Sequence, residues 1–115
     1  PRRNLRIATR LMARLEDGQD KSEGYVTVLS EYGMFFMTLD PRPVDAQIPL
    51  SFTIKDSLIK VEAVVLYTVS FDDGPYKEPG MGLKFVKISR ADRGLIANFM
   101  LEWIQEGASN QSARP

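Results

Sequence analysis

Apolar and polar positions alternate along most of this chain, and the period changes to a helical one only near its end. Leu11, Ala13 and Leu15 alternate with Arg14 facing the other way, the period of a half-buried strand, and Asp17-Gly18 then turns the chain. Tyr25 to Leu29 is rich in β-branched and aromatic residues, Ser30 to Gly33 interrupts it, and Met34 to Leu39 resumes as a short apolar strand. Asp40-Pro41-Arg42-Pro43 forms a stiff connection to Ile48, Leu50, Phe52 and Ile54, which alternate with polar partners. Pro49 belongs at an edge or a strand start, since it cannot donate to a ladder. The longest strand pattern runs from Leu58 to Phe71, with Ile59, Val61, Ala63, Val65, Tyr67 and Val69 on one face, a length that suits a strand bending around a barrel. Asp72-Asp73-Gly74-Pro75 through Pro79-Gly80 reads as a loop, and Met81, Leu83 and Phe85 alternate beyond it. Six strands separated by turn signals predict a mainly β fold, a six-stranded antiparallel barrel.

Beyond the sixth strand, Ser89 followed by Asp92 matches a capping box. Leu95, Ile96, Phe99, Met100, Trp103 and Ile104 then recur at helical spacing up to Gly107. One C-terminal helix is expected to cover an open end of the barrel, with Trp103 in the core beside Phe99 and Met100. The expected organisation is one domain over 1–106: a leader at 1–10 bearing arginines, a barrel at 11–88 and a helix at 90–106. A flexible small and polar tail at 107–115 completes it.

Composition narrows the function. At 115 residues, 43% hydrophobic and 26% charged, the chain suits a single globular domain with its own core, and no stretch is long enough to span a bilayer. Lys plus Arg and Asp plus Glu are 15 each, so net charge gives no bulk attraction to DNA or RNA. Their distribution is uneven. Residues 1–14 carry Arg2, Arg3, Arg6, Arg10 and Arg14 with no acid, whereas Glu16, Asp17, Asp20 and Glu23 follow against Lys21 alone. A small basic site of this kind fits a compact phosphate ligand better than a long polyanion. Without cysteine or histidine, the usual zinc, haem and iron-sulfur ligands and every thiol or imidazole nucleophile-base pair are excluded. The reading is therefore of a chain that is not an enzyme, and lack of cysteine fits the reducing cytoplasm. Asp72 and Asp73 read as turn formers, not as a metal site, since no EF-hand spacing follows. The chain begins at Pro1, almost on the arginines, as expected of a processed form or a piece of something longer.

Two short motifs carry the candidate chemistry. Arg2-x-x-x-Arg6 offers two guanidinium forks able to grip phosphate or lie on a purine face, with Arg3 beside them. Leu29-Ser30-Glu31-Tyr32-Gly33 offers a hydroxyl and a glycine bend where a ligand edge could approach the backbone. Alone, the arginines could be a solvated basic leader, and Ser30 with Gly33 an ordinary tight turn. Together with Gly33-Met34-Phe35 and the later Pro79-Gly80-Met81-Gly82-Leu83-Lys84-Phe85, the chain from Arg2 to about Ile104 resembles the PilZ domain, the bacterial receptor module for the second messenger cyclic di-GMP.

The resemblance implies a cyclic di-GMP site at Arg2, Arg3, Arg6, Ser30 and Gly33. The arginines would take the phosphates and guanine faces, and the Ser30 turn would take the base. It also implies a role in motility, pilus or biofilm signalling, exercised through a protein partner or an attached effector domain, without DNA, RNA or membrane insertion. A mobile arginine leader folding over the barrel on binding is the mechanism it suggests. Lys84, opposite in facing to Leu83 and Phe85, either adds a charge near the ligand or is a solvated strand residue.

One position departs from the family pattern D/N-x-S-x-x-G. Val28 stands where Asp or Asn would pair with a guanine edge, which is expected to weaken binding by about 1 to 3 kcal/mol. The alternative is a degenerate PilZ domain that binds no nucleotide and serves as a protein-interaction module. Met34 to Met37 fits that reading as well, because two of these four apolar residues must face outward, against the helix or a partner. A nucleic-acid-binding barrel of the OB type would need stacking aromatics on a basic strand face, and the balanced charge argues against it.

Overall fold

The computed structural model describes residues 5–18, 23–75 and 77–113, with 107–113 as backbone. Six antiparallel strands form a closed barrel in the order β1-β2-β3-β6-β5-β4. They are β1 (Ile7–Leu15), β2 (Glu23–Leu29), β3 (Gly33–Met37), β4 (Gln47–Ile54), β5 (Ser57–Val69) and β6 (Gly80–Ile88), followed by the helix α1 (Arg90–Ala113). The mainly β architecture with one C-terminal helix is the one the alternation predicts. Every strand contributes its inward set to a single apolar core, in which Val26, Leu29, Phe36, Ile59, Ala63, Val65 and Met81 are fully buried. Pro49 fits β4 because its partner β1 ends beside it. The carbonyl of Pro49 accepts the N–H of Glu16, and the missing proline donor faces no strand.

Several boundaries move from where the pattern puts them. Ile7 to Arg10 belong to β1 and not to a leader, since Ile7 is already in the core. The third strand stops at Met37, leaving Leu39 exposed. The fifth stops at Val69, where Ser70 caps a 3-10 turn over Phe71–Asp73. Asp73 accepts the N–H of Ser70 in that cap at 2.8 Å, so its carboxylate serves the turn. Helix α1 passes through Gly107 and on to Ala113, as a single glycine costs a helix only about 1 kcal/mol.

The helix begins as predicted in one respect only. Ser89 Oγ accepts the N–H of Asp92 at 3.0 Å, but the Asp92 carboxylate turns to the N–H of Lys60 on β5 and does not close the box. Ile96 and Met100 enter the barrel core, which closes that end. Trp103 does not join them. It is 40% exposed, with Leu101, Ile104 and Glu102 exposed around it, so the core packing of the helix stops short of it at Met100. Lys55 and Glu102 pair at the surface there.

The connection from β3 to β4 crosses the barrel with a buried cation that the sequence pattern did not single out. Arg42, 4% exposed, donates from Nε to Asp17 Oδ2 at 2.6 Å and from Nη1 to the Asp40 carbonyl at 2.7 Å. Hydrogen bonding to Asp17 raises the Arg42 pKa further and keeps it charged. The pair ties the β1–β2 turn to the β3–β4 connection. Removing one partner of a buried pair strands the other. Arg42→Leu is therefore expected to lower stability by about 3 kcal/mol in denaturant unfolding, while Asp40→Asn, at the exposed edge of the cluster, changes it by less than about 1 kcal/mol. Ile96→Ala opens a cavity where the helix seals the barrel and is expected to cost about 2 to 5 kcal/mol in the same measurement.

Candidate functional site

A closed barrel hides one face of each strand and presents the other, and helix α1 packs mainly against β1 and β4. The outer face of β2, β3, β6 and β5 is left to form a pocket of about 590 Å³. Arg6 stands at its β1 side, Val28 on β2, the Ser30 to Gly33 turn at one end with Lys84 at the rim, and Phe35 and Gly82 along its floor. Leu66, Tyr67 and Val69 of β5 form the opposite side, and Lys77 and Glu78 reach over from the β5–β6 connection.

Two bulges build this face. On β2, Val26 pairs with Phe36 and Val28 with Phe35, so Thr27 is an extra residue. Val26 and Leu29 are both buried, and Thr27 and Val28 consecutively lie outside the core. On β5, Val65 pairs with Leu83 and Tyr67 with Gly82, which makes Leu66 the extra residue. Tyr67 thereby leaves the inward face on which the alternation puts it and is 51% exposed. Its ring lies directly over Gly82, where any Cβ would collide with it. Phe35 flanks the same glycine from β3 and meets Tyr67 at 6.3 Å between ring centres, tilted by 31°. The outward residues of the Met34 to Met37 run are thus covered in a different way from that expected. Phe35 packs against Tyr67 across the barrel's outer face, not under helix α1.

The turn at one end is rigid. Ser30 Oγ accepts the N–H groups of Tyr32 and Gly33, each at 3.1 Å, and donates to the Gly33 carbonyl at 3.2 Å. The Ser30 N–H also donates to that carbonyl, at 2.9 Å. The hydroxyl therefore holds the turn itself. Gly33 lies against β6 so closely that a Cβ would strike the Leu83 carbonyl, a backbone atom with no room to yield. The Tyr32 carbonyl accepts the Phe85 N–H at 2.8 Å, and the Arg93 guanidinium lies 5.3 Å over the Tyr32 ring. The turn is clasped between β6 and the first turn of α1.

Among the predicted site residues, Arg6, Ser30 and Gly33 line this one pocket, and Val28 faces it too. Lys84 lines it as well, exposed and opposite Gly33 in the β3–β6 register. Arg2 and Arg3 lie outside the described residues. The other arginines of the amino-terminal run serve the surface. Arg10 sits 4.7 Å over the ring of Tyr25, and Arg14 makes an exposed pair with Glu23. The sequence reading missed Leu66, Lys77 and Glu78, and it placed Tyr67 and Val69 on the core face. The signal was present in Gly80-Met81-Gly82: glycines inside a strand mark a bulge or a close approach. The arrangement is an apolar, partly aromatic floor rimmed by the cations Arg6, Lys77 and Lys84, suited to a flat heteroaromatic ligand that carries phosphate. No group of His, Cys, Asp and Glu among the described residues is arranged to hold a metal ion.

A family profile described as PilZ domain matches residues 1–102. None of the functionally curated proteins matches the chain. Among solved structures, the Bacillus subtilis inhibitor of motility MotI/DgrA is similar with a TM-score of 0.76 at 16% identity, over 91% of this chain and 51% of that one. The chain thus spans about half the length of that protein, and the likeness is one of fold. With the profile covering all six strands and most of the helix, the chain belongs to the PilZ domain family, whose domains act as cyclic di-GMP receptors or persist as degenerate forms.

Proposed function

We propose that this chain is a cyclic di-GMP receptor domain that passes second-messenger binding to a protein partner or an attached effector domain. The observation that carries the reading is the convergence of Arg6 and the Ser30 to Gly33 turn on one pocket, though they are far apart in sequence. Arg6 and Lys84 would meet the phosphates, and the rigid turn would back a guanine base over the floor made by Phe35 and Tyr67. Arg2 lies four residues before Arg6, a reach of at most about 14 Å, so Arg2 and Arg3 can close on the same ligand. None of these roles needs a nucleophile or a general base, in keeping with a regulatory domain rather than an enzyme. We assign the domain to the cytoplasm, where the messenger is made, and to signalling over motility or biofilm growth. The fold it shares with an inhibitor of motility supports that assignment.

A second reading keeps the fold and abandons the nucleotide. Val28 puts an apolar group in the pocket at the position where the family has a guanine-pairing Asp or Asn, which favours a protein-interaction module. Calorimetric titration with cyclic di-GMP, with GTP as control, separates the two. Saturable binding selective over GTP is expected, and Arg6→Ala is expected to weaken it roughly tenfold to a hundredfold through loss of a charge-assisted phosphate contact. Unchanged affinity in Arg6→Ala would remove the arginine from the site. Silence from both the wild-type chain and Val28→Asn would hand the domain to the second reading.

A further inference from the structure

Among the described residues lining the pocket, Glu78 is the only acid, and it stands there with Arg6, Lys77 and Lys84. It projects from the β5–β6 connection toward β2. Thr27 Oγ1 donates to its Oε1 at 2.8 Å, and Thr27 immediately precedes Val28. Thr27 follows the buried Val26 and so faces outward, where it can make that bond, and the bulge keeps Val28 on the same side of the strand. Among the described residues no other hydrogen bond or ion pair reaches the Glu78 carboxylate, so Oε2 and a second lone pair of Oε1 remain open to a ligand.

A carboxylate repels phosphate, so its place in a pocket rimmed by cations makes sense against a portion of the ligand that donates. Guanine presents two adjacent donors on its Watson–Crick edge, N1–H and the N2 amino group, and a carboxylate accepts both in parallel. Adenine offers an unprotonated N1 at the same place and would face the carboxylate lone pair to lone pair. We propose that Glu78 reads the guanine edge in this pocket, doing from the facing connection what Val28 cannot do from β2, with Thr27 as its positioning residue. The inference rests on the cyclic di-GMP reading and adds to it the source of base selectivity.

The test compares cyclic di-GMP with cyclic di-IMP, which lacks only the N2 amino groups, on the full chain by calorimetry. The wild-type chain is expected to prefer the guanine ligand by roughly tenfold, the scale of one charge-assisted hydrogen bond. Glu78→Ala, which removes the acceptor of both guanine donors, is expected to lose more than that factor for cyclic di-GMP, to lose less for cyclic di-IMP, and to discriminate little between the two ligands. Glu78→Gln, which can keep the bond from Thr27 but has one acceptor oxygen and no charge, should fall between them. Thr27→Val should shrink the preference without abolishing it. An equal loss for both ligands in Glu78→Ala would show that Glu78 only shapes the connection, and unchanged binding and preference would remove it from the site. Either result overturns the inference and leaves the cyclic di-GMP reading standing. A wild-type chain that binds neither dinucleotide overturns both.

Discussion

Strand alternation in a closed barrel leaves a residue only two places to go, inside or out, and the pocket depends on two breaks in that rule. Without the extra residue at Thr27, β2 would keep strict alternation from Val26 and place Val28 back inside. Without the extra residue at Leu66, Tyr67 would stay on the face of Ile59, Val61, Ala63 and Val65, competing for core volume that Met81 and Leu83 already fill. The bulges lie on strands at opposite sides of β3 and β6, so both turn their side chains over the same strip of sheet. Gly82 completes the arrangement by lacking the Cβ that would hold the Tyr67 ring away. Core and pocket are consequently two sides of one set of register choices.

Charge is divided just as sharply. Arg42 is buried, paired with Asp17 and Asp40, and shut off from ligand, whereas Arg6 and Lys84 are exposed at a pocket rim. A buried guanidinium must be paired to avoid an uncompensated desolvation cost, and its partners fix a turn and a connection together. A rim cation avoids that cost because water solvates it until an anion arrives. The balanced total charge of the chain hides this division. Arg10 and Arg14, spent on Tyr25 and Glu23 along the outside of β1, show that most of the amino-terminal arginine cluster visible in the described residues is surface rather than site.

What the sequence made legible follows from the same physics. The strands of regular alternation, such as Ile48 to Ile54, were readable because each side chain reports its own face. The C-terminal helix was readable because Ile96 and Met100 repeat at helical spacing. Tyr67 was misplaced because a bulge is an event between two strands, and the extra residue is visible only against the partner's register. Trp103 was misplaced because periodicity gives a helix its face but not how far along the helix core packing continues, and here it ends at Met100. Arg42 escaped notice because its partners lie 25 residues away at Asp17 and two away at Asp40, and burial of a cation is a property of the assembled turns. Ser30 and Gly33 were found as a motif, yet their physical roles differ from a simple offer of a hydroxyl: Ser30 Oγ is consumed in holding the turn, and Gly33 is needed for the closeness of β6.

The same turn also ties the pocket to the helix. The Ser30 to Gly33 turn is a pocket wall, yet its Tyr32 carbonyl anchors Phe85 of β6, and its Tyr32 ring lies under Arg93 in the first turn of α1. A wall cross-linked by its own serine resists local deformation. Displacement there is transmitted to what the turn touches, because close-packed neighbours move together or not at all. Helix α1 is one such neighbour. Ile96 and Met100 fasten its buried side into the barrel with Phe99 half-buried beside them, and beyond them its Leu101, Trp103 and Ile104 side chains stand exposed. The pocket wall and the first turn of the helix are thus joined through Tyr32 and Arg93, and the exposed stretch of the helix continues from that contact.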